Sequence, residues 1–410
     1  MSFPRVALFT DSFHEVNGAA HTCRQLQLFA QRRGLPLFSV HSGPQTRTLQ
    51  QGSVTTLELK RGWSTIPVDV DFGFDPLLCR YFSRVGEALK AFRPDLIHII
   101  SPGDFSILGA IWGSRLKVPV VASYHTRLHS FAAARLNKTL RFLPPRPRQT
   151  VCGWVQEFCE WGVLKFYRIP CLSLAPNPEI QHWLERGTGR PCHIMRRGVD
   201  LDLFRPGRRD VADGIFRLGF VGRLMLEKSV RLLKEVEQAL VAGGHTNYRF
   251  LIVGQGDERG WLERNLQRVE FTGVLRGEEL ARAYANMDLF LFPSRTDAFG
   301  NVVQEALASG VPVMVTNVGG PQYIVNAGVN GYVAASDQDF VAKTVALVED
   351  ALTLRRMRAA TRQTASTISW DKVFEDVWSS YEFAYRLPQP SATLSVVVAP
   401  GALHREPGSR

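Results

Sequence analysis

Short apolar runs alternate with amphipathic stretches along most of the chain. The runs are rich in β-branched residues and end in polar residues or glycine, which is the pattern of buried strands in a parallel sheet. In the first half the predicted strands are RVALFTD (5–11), PLFSVHS, DLIHIIS, VPVVASY, CLSLAP (171–176) and HIMRRG (193–198). Helical patterns lie between them, including one from about Gly18 to Arg33 and others near 75–92 and 104–117.

The same alternation starts again after a break near 200–214. The predicted strands of this half are FRLGFVG (216–222), YRFLIVG (248–254), RVEFTG (268–273), DLFLFP (288–293) and VPVMVT (311–316). The predicted helices lie near 227–242, 257–267, 277–286, 301–309 and 336–352. Repeated strand–helix units on both sides of a break predict an α/β protein with two parallel-sheet domains facing across a cleft.

The pattern also gives domain boundaries. We expect an N-terminal domain at 1–198, a C-terminal domain at 199–368, an aromatic-rich helix at 369–387 and a disordered tail at 388–410. The tail is predicted from its content of Pro, Ala, Gly and Ser. In open parallel sheets, ligands bind beyond the carboxyl ends of the strands, so polar residues that follow predicted strands are the candidates for a site.

The segment FVGRLMLEK (220–228) contains two cationic residues that follow a predicted strand. Arg223 leaves the end of a strand, and Lys228 is predicted in the first turn of the next helix, where a cation opposes the helix dipole. A diphosphate between the two cations would reverse that unfavourable interaction. The alternative is that Glu227 and solvent accommodate Lys228.

RTDAFGNVVQEALASGVPV (295–313) combines two acids with a helix start. Asp297 is predicted in a loop, Glu305 one turn inside the helix, and Gly300 at the turn between them. The backbone amides suited to hold an anion there are those of Phe299, Gly300, Asn301 and Val302. The two carboxylates would contact different parts of a long ligand. Taken separately, each is also explained as an ordinary loop or helix acid.

Two further positions follow strands of the first half. Gly18 in EVNGAAHT lies where the first strand turns into the first helix, a place suited to an anion, although an ordinary turn explains it equally well. His125 in VVASYHT follows another strand towards the same cleft. A lone histidine of this kind is more often structural than catalytic.

Charge and cysteine content indicate the kind of partner and the cellular compartment of the protein. The net charge of +11 favours phosphate-rich partners. The six cysteines contain no CxxC pair, and the N-terminus has no signal-peptide pattern, so a reduced cytosolic setting is expected. With no apolar run of about 18 residues, the protein is expected to be soluble or to lie on the inner face of a membrane.

The segment 126–150 interrupts the alternation and is predicted to be a basic insertion. Between Arg127 and Arg148 it contains no carboxylate, while apolar residues such as Phe131 and Leu140 are interleaved. This composition suits an anionic lipid surface. The alternative is a solvated loop whose apolar residues pack on the domain.

Taken together, these motifs resemble the GT4 family of retaining glycosyltransferases, which has the GT-B architecture of two Rossmann-like domains. The motifs that carry the resemblance occur in the family's order: EVNG, ASYHT, RRGVDLDLF, FVGRLMLEK, IVGQG, FTGVL and DAFGNVVQEALASGVPV. They cover about residues 5–385. The closest similarity is to GDP-mannose-dependent α-mannosyltransferases and sulfoquinovosyl-diacylglycerol synthases.

The resemblance implies roles for individual residues. Arg223 and Lys228 would grip the donor diphosphate, Glu305 the ribose hydroxyls, and Asp297 the hydroxyls of the transferred hexose. The amides from Phe299 to Val302 would bind sugar and phosphate, Leu275 would touch the base through its main chain, His125 would reach the sugar near the reacting carbon, and Gly18 would sit close to the phosphates. The final helix would return to the N-terminal domain.

The resemblance also implies the reaction. A hexose, with mannose from GDP-mannose as the first choice, would pass from a nucleotide diphosphate sugar to a lipid or glycan acceptor. The leaving phosphate would deprotonate the acceptor, without a cofactor, a metal or a protein nucleophile, and no nucleic-acid partner is expected.

The sequence departs from the family pattern, and other functions stay open. Asp297 stands where the family usually has glutamate, which puts the identity of the hexose in doubt. A UDP-sugar-dependent enzyme that makes a glycolipid is one alternative. A sugar-nucleotide epimerase or phosphorylase on the same scaffold is another, and a non-catalytic binder of a polyanion is a third.

Overall fold

The computed structural model describes residues 3–15, 17–69, 72–125, 145–366 and 368–387. Most of the predicted basic insertion, 126–144, and the whole predicted tail, 388–410, lie outside the described residues.

Apolar strands build the first sheet, and all five residues of its central strand, VALFT, are buried. The strands of this half are Val6–Thr10 (β1), Leu37–Gly43 (β2), Arg47–Gln51 (β3), Val54–Lys60 (β4), Ile66–Asp69 (β5), Phe72–Phe74 (β6), Leu96–Ile100 (β7), Val120–Ser123 (β8), Leu172–Ala175 (β9) and Cys192–Ile194 (β10). Eight of them form a sheet in the order β10-β9-β8-β7-β1-β2-β4-β3, while β5 and β6 pair separately. Only the edge pair β3–β4 of the large sheet is antiparallel.

The second sheet is entirely parallel and doubly wound. Its strands are Phe216–Val221 (β11), Tyr248–Val253 (β12), Val269–Gly273 (β13), Leu289–Phe292 (β14), Val313–Thr316 (β15) and Gly331–Ala334 (β16). The order is β13-β12-β11-β14-β15-β16, so the direction of winding reverses between β11 and β14. A crevice forms beyond the carboxyl ends of the strands at such a reversal, and it is the usual ligand site of this topology.

Helices connect most of the strands. They are Gly18–Arg32 (α1), Phe82–Phe92 (α2), Asp104–Leu116 (α3), Pro145–Tyr167 (α4), Pro178–Thr188 (α5), Leu232–Ala242 (α6), Arg259–Asn265 (α7), Gly277–Ala285 (α8), Asn301–Ala308 (α9), Asp337–Glu349 (α10), Ala351–Ser366 (α11) and Trp370–Arg386 (α12). Within the described part of the chain, none of these is both long enough and apolar enough to cross a bilayer.

The last helix belongs to the core of the first sheet although it follows the second sheet in sequence. Its buried aromatic residues Trp370, Phe374, Trp378 and Tyr381 pack with β1 and α1 in one hydrophobic cluster. The Tyr381 hydroxyl also hydrogen-bonds Nδ1 of the buried His98 at 2.7 Å. The chain therefore crosses twice between the two sheets.

The predicted fold class is confirmed: two parallel-sheet α/β units of Rossmann type make up the described chain. The elements not predicted from the sequence are β3, β4, the β5–β6 hairpin, β16, α4, α5 and α11. The helix predicted near 227–242 is wrong in its first part, because a short 3-10 turn at Leu226–Lys228 precedes α6. Ser229 separates the two with a left-handed φ of 52°.

Candidate active site

Two loops meet at the reversal point of the second sheet. One follows β11 and carries Lys228, and the other follows β14 and carries Asp297. Because β11 and β14 are hydrogen-bonded neighbours, these loops leave the sheet side by side. The hydroxyl of Thr296 in the second loop donates to the carbonyl of Glu227 in the first, at 3.4 Å.

Lys228 and Asp297 form the central contact of this crevice. The Lys228 ammonium lies 2.8 Å from both carboxylate oxygens of Asp297, and Lys228 is buried. The expectation that Lys228 opposes the dipole of the next helix is wrong, because it lies in the 3-10 turn ahead of α6. Its charge is balanced by Asp297, whereas the sequence analysis had considered Glu227 and solvent.

The Asp297 carboxylate has a second partner that the sequence analysis missed. The hydroxyl of Ser294, just after β14, donates to Asp297 Oδ2 at 2.5 Å. A hydroxyl and an ammonium therefore fix the orientation of this acid. The only feature of the sequence that pointed to Ser294 was the position of this residue just after a strand.

Arg223 points elsewhere in this structure. Its guanidinium donates to Glu227 at 3.1 Å, and the side chain is 55% exposed. The structure thus brings Lys228 and Asp297 into contact but does not bring Arg223 onto them. An exposed pair of this kind contributes little energy, so Arg223 can exchange partners at small cost.

Gly300 opens helix α9 with a left-handed φ of 100°, where no described side chain caps the helix. Its first amides therefore keep donors that a ligand can use. Gly319 and Gly320, which the sequence analysis missed, let another chain segment pack on this turn: a Cβ on Gly320 would lie 2.1 Å from the Ala298 carbonyl oxygen. Gly320 N–H also donates to the Asp297 carbonyl at 2.7 Å.

The other predicted residues of this turn differ in how far their side chains are buried. The side chain of Phe299 is buried in the core of the second sheet, whereas Asn301 and Val302 are partly exposed in the first turn of α9. Phe299 therefore anchors the turn, and only its backbone remains for a ligand.

Helix α1 faces α9 from the other domain. It begins at Gly18, and the side chain of Asn17, overlooked in the sequence, accepts from the Ala20 N–H at 2.9 Å. A Cβ on Gly18 would lie 3.4 Å from Nδ2 of Asn301. The positive ends of two helices, one from each sheet, thus meet across the cleft beside these residues.

Glu305 is held inside the cleft wall. Its carboxylate accepts a hydrogen bond from Tyr284 of α8 at 2.8 Å. Burial raises the pKa of Glu305 to about 6, and the Tyr284 hydrogen bond opposes that rise. The second oxygen of the carboxylate remains for other donors. Tyr284 had no signal in the sequence beyond its place in an amphipathic helix.

Leu275 lies between β13 and α8, at the end of the crevice opposite β16. Its side chain is partly buried and packs against the core of the second domain. The contact between its main chain and the base, which the resemblance implies, stays a prediction.

His125 follows β8 and contacts a residue that the sequence analysis did not select. Arg197 is buried, and its guanidinium lies 3.0 Å from His125 Nδ1. Since a guanidinium only donates, Nδ1 accepts and the proton of the neutral ring is on Nε2. Burial, and then the charge of Arg197, hold the pKa of His125 well below its usual range. Its Nε2 has no hydrogen-bond partner among the described residues.

Family comparisons cover both halves of the chain. The family described as "Glycosyltransferase Family 4" matches residues 16–203, and "Glycosyl transferases group 1" matches residues 215–350. The GDP-mannose-dependent alpha-mannosyltransferase of Mycobacterium tuberculosis is 31% identical over 307 residues, which are 73% of this chain and 75% of that protein. The sulfoquinovosyl transferase SQD2 of Arabidopsis thaliana is 30% identical over 316 residues, 72% of this chain and 58% of that protein.

Solved structures share the fold. Sucrose-phosphate synthase from Thermosynechococcus elongatus superimposes with a TM-score of 0.67 at 19% identity, covering 93% of this chain and 98% of that one. WaaG, a glycosyltransferase of lipopolysaccharide biosynthesis, gives a TM-score of 0.62 at 16% identity, covering 92% and 99%.

The two Rossmann-like units that meet at this cleft have the GT-B architecture. The chain belongs to glycosyltransferase family 4.

Proposed function

We propose that this glycosyltransferase transfers a hexose, with mannose from GDP-mannose as the preferred donor, to a lipid or glycan acceptor with retention of configuration. The donor is taken from relatives: besides the protein of M. tuberculosis, a GDP-mannose-dependent alpha-mannosyltransferase of Corynebacterium glutamicum is 34% identical over 256 residues.

The observation that carries the proposal is the meeting of two helix N-termini beside a buried lysine. The N-termini of α1 and α9 approach each other at Gly18 and Asn301, and Lys228 lies in the loop next to α9. Helix N-termini and ammonium groups favour phosphate, because both place positive charge where oxygens can accept hydrogen bonds. A nucleoside diphosphate is an anion that can span both helices.

This arrangement suits the charge that develops during transfer. When the bond from the sugar to the phosphate breaks, the sugar becomes cationic and the leaving phosphate gains negative charge. Cations and amides that are already fixed in place lower that barrier without reorganising. We therefore assign this stabilisation to Lys228, to the amides of the Gly300 turn and, after it leaves Glu227, to Arg223. With these charges at the diphosphate, we propose that no metal or cofactor acts there.

Asp297 changes its partners when the donor binds. In this structure its oxygens accept from Lys228 and Ser294. As phosphate draws the ammonium away, an oxygen becomes available to accept from a hydroxyl of the hexose. Glu305 similarly has one oxygen to accept from the ribose, since Tyr284 contacts only Oε2.

His125 complements these acceptors as a donor. Its unpaired Nε2–H can donate to a sugar hydroxyl near the reacting carbon, while Arg197 holds the other nitrogen. Because burial and Arg197 keep the ring neutral, His125 stays in this donor form across physiological pH.

The test is donor turnover by the full-length enzyme. With GDP-mannose labelled in the sugar and a membrane-lipid extract as acceptor, we expect release of GDP that depends on the extract, and a labelled lipid product. Lys228→Ala should reduce turnover by about 10²–10³-fold, as for loss of a group that stabilises the transition state. Lys343→Ala, which removes a half-buried lysine paired with Asp339 on α10, should leave it unchanged. Equal activity in the two variants would refute the assignment.

A UDP-sugar is the second candidate donor. The fold neighbour HepE of Anabaena has been solved in complex with UDP-glucose. UDP-glucose therefore belongs in the same assay. Conversion of a donor without the lipid extract would instead support an epimerase, or a phosphorylase if inorganic phosphate receives the sugar.

We also propose that the acceptor is reached at an anionic membrane surface. Helix α4 begins within the basic segment and exposes three aromatic residues on one face: Trp154, Phe158 and Trp161 are 68%, 70% and 57% exposed. Their spacing of four and three residues aligns them along the helix. Exposed aromatic residues beside basic ones are suited to the interface of an anionic bilayer.

Vesicle binding tests this part. We expect the protein to cosediment with vesicles that contain phosphatidylglycerol and to bind phosphatidylcholine vesicles at least tenfold more weakly. Replacing Trp154, Phe158 and Trp161 together with alanine should abolish binding to the phosphatidylglycerol vesicles. Leu352→Ala, which removes an equally exposed apolar side chain from the second domain, serves as the control. Unchanged binding of the triple variant would exclude this face.

A further inference from the structure

A cluster of metal-ligating side chains lies at the edge of the first sheet, away from Lys228 and Asp297. His41 on β2 and Glu58 on β4 stand in register on neighbouring parallel strands, so their side chains lie on the same face of the sheet. His14 reaches them from the loop after β1. One ligand atom from each of the three residues lies within 4.8 Å of the other two.

His41 presents a nitrogen that the protein itself does not use. The residue is fully buried, and its Nδ1 lies 3.0 Å from the carbonyl oxygen of Ser42. A carbonyl only accepts, so Nδ1 carries the proton of the neutral ring and Nε2 has a free lone pair. Nε2 is buried without a hydrogen-bond partner among the described residues. A buried polar atom in that state is unfavourable, and a ligand that accepts its lone pair would relieve the cost.

The neighbouring side chains hold the cluster in a defined geometry. The ring of Phe13 stacks on His41 with centroids 3.9 Å apart and an interplanar angle of 4°. Arg47 donates to Glu58 Oε2 at 2.5 Å, whereas Oε1 faces His14 Nε2 at 3.1 Å. Backbone and side-chain contacts of this kind, which fix the ligand's orientation from behind, are typical of metal sites.

We propose that His14, His41 and Glu58 bind one divalent transition metal ion, with Zn²⁺ as the best match to two imidazoles and a carboxylate. Tetrahedral zinc holds N and O ligands at about 2.0–2.2 Å, which places ligand atoms about 3.3 Å apart. The His14–Glu58 separation is already close to that distance, and His14, whose side chain is 51% exposed, can complete the approach to His41. Three protein ligands leave a fourth position for water or for an oxygen of a substrate.

A metal ion bound to this cluster would connect separate elements of the first sheet. β1, β2 and β4 are adjacent and parallel, so their carboxyl ends lie at one edge of the sheet, the edge from which the chain continues to Gly18. A metal on His14 would tie the loop before Gly18 to β2 and β4. The inference extends beyond the proposed transfer reaction and does not depend on the donor.

Zinc titration of the full-length, chelator-treated protein tests the site. We expect one Zn²⁺ per chain, binding more than about tenfold weaker in His14→Ala and in Glu58→Gln. The pair of His245 and Glu349, 3.0 Å apart in the second domain, is a matched control, because the described residues supply no third ligand beside it. His245→Ala should therefore bind Zn²⁺ like the unmodified protein.

Two further measurements separate this site from adventitious binding. Co²⁺ in place of Zn²⁺ should give the visible spectrum of a tetrahedral N/O site, with no thiolate charge-transfer band from an exposed cysteine such as Cys79. Zn²⁺ should also slow amide hydrogen exchange in the segment 11–18. Equal zinc affinity in His14→Ala and the unmodified protein, or a thiolate band, would overturn the proposal, whatever the outcome of the transferase assays.

Discussion

The residues of the proposed sites on the two sheets differ in whether the protein already supplies them with a polar partner. On the second sheet, Lys228 is paired with Asp297, Glu305 with Tyr284 and Arg223 with Glu227. On the first sheet, two buried imidazole nitrogens, Nε2 of His41 and Nε2 of His125, have no partner among the described residues.

The difference indicates how each side would receive a ligand. A charged side chain that already has an internal partner must exchange that partner for the ligand. Ligand binding on the second sheet therefore breaks an ion pair, and it favours a ligand that carries negative charge. An unpaired buried nitrogen has no partner to lose, and a ligand that satisfies it gains the full interaction. We therefore expect substitutions on the second sheet to leave the partner's charge unpaired. Substitutions on the first sheet should change how tightly a ligand is bound there.

The strongest expected effect is on Asp297. Asp297→Asn leaves the buried Lys228 unpaired, which should destabilise the ligand-free protein by about 1–3 kcal/mol. Turnover should fall about 10²-fold. GDP should raise the melting temperature of this variant more than that of the unmodified protein, because phosphate replaces the missing negative charge.

The half-buried acid Asp339, which pairs with Lys343 one helical turn away on α10, provides the control. Asp339→Asn should change neither turnover nor the GDP-dependent thermal shift. If GDP stabilises Asp297→Asn less than the unmodified protein, this contradicts the proposal that Lys228 exchanges Asp297 for phosphate.

The next effect concerns the turn at Gly300. Gly300→Ala places a side chain at a φ of 100° and a Cβ 3.0 Å from Pro321 Cγ, so we expect a loss of more than about 1–2 kcal/mol of unfolding free energy. Gly328→Ala has a similar φ of 80° with nothing within 4 Å of the Cβ, and it isolates the backbone cost. Chemical denaturation gives both values. Only Gly300→Ala should also weaken GDP binding, and equal affinities would remove the turn from the site.

The smallest effect is a pH dependence from Glu305. Its folded pKa is about 6, above the ordinary value of 4.5, so the folded state holds its proton longer than the unfolded state. Stability from this group is therefore highest below about pH 4.5, falls as pH rises to about 6 and stays constant above. The loss is up to about 2 kcal/mol, at 1.36 kcal/mol per pKa unit.

Glu305→Gln removes this loss. We expect the variant to be more stable than the unmodified protein at pH 7.5 and equal to it near pH 4.5, while it binds the donor more weakly. Glu349→Gln, at an exposed acid, should show neither change. Denaturation curves at both pH values, with the donor KM, decide the outcome; equal stability at pH 7.5 would contradict it.

Much of the fold was predictable because buried parallel strands have a strong signal. RVALFTD and DLFLFP are continuous apolar runs, and both are strands in the sheets. The exposed β3 strand, RTLQQ, has no such run, and it owes its place to antiparallel pairing with β4 at the edge. Edge strands and hairpins form through partners that a local pattern does not contain.

The candidate site was predictable only in part. The helix start at Gly300 and the place of Glu305 inside it followed from local rules for helix ends, and the structure has both. The positions of Tyr284, Arg197 and Ser294 did not follow, because each acts through a residue distant in sequence or through a side-chain direction. Lys228 was placed wrongly because the left-handed Ser229 interrupts a helical pattern.

The sequence by itself determined the repeated strand–helix units, the polar residues after each strand, and membership of a family that those residues mark. Only the tertiary structure decided which of these residues meet: β11 lies beside β14, which joins Lys228 to Asp297, and the two domains bring Gly18 to Asn301. The reason is physical. Apolar periodicity and helix ends act over a few residues, whereas sheet order and domain packing set distances between residues far apart in the chain.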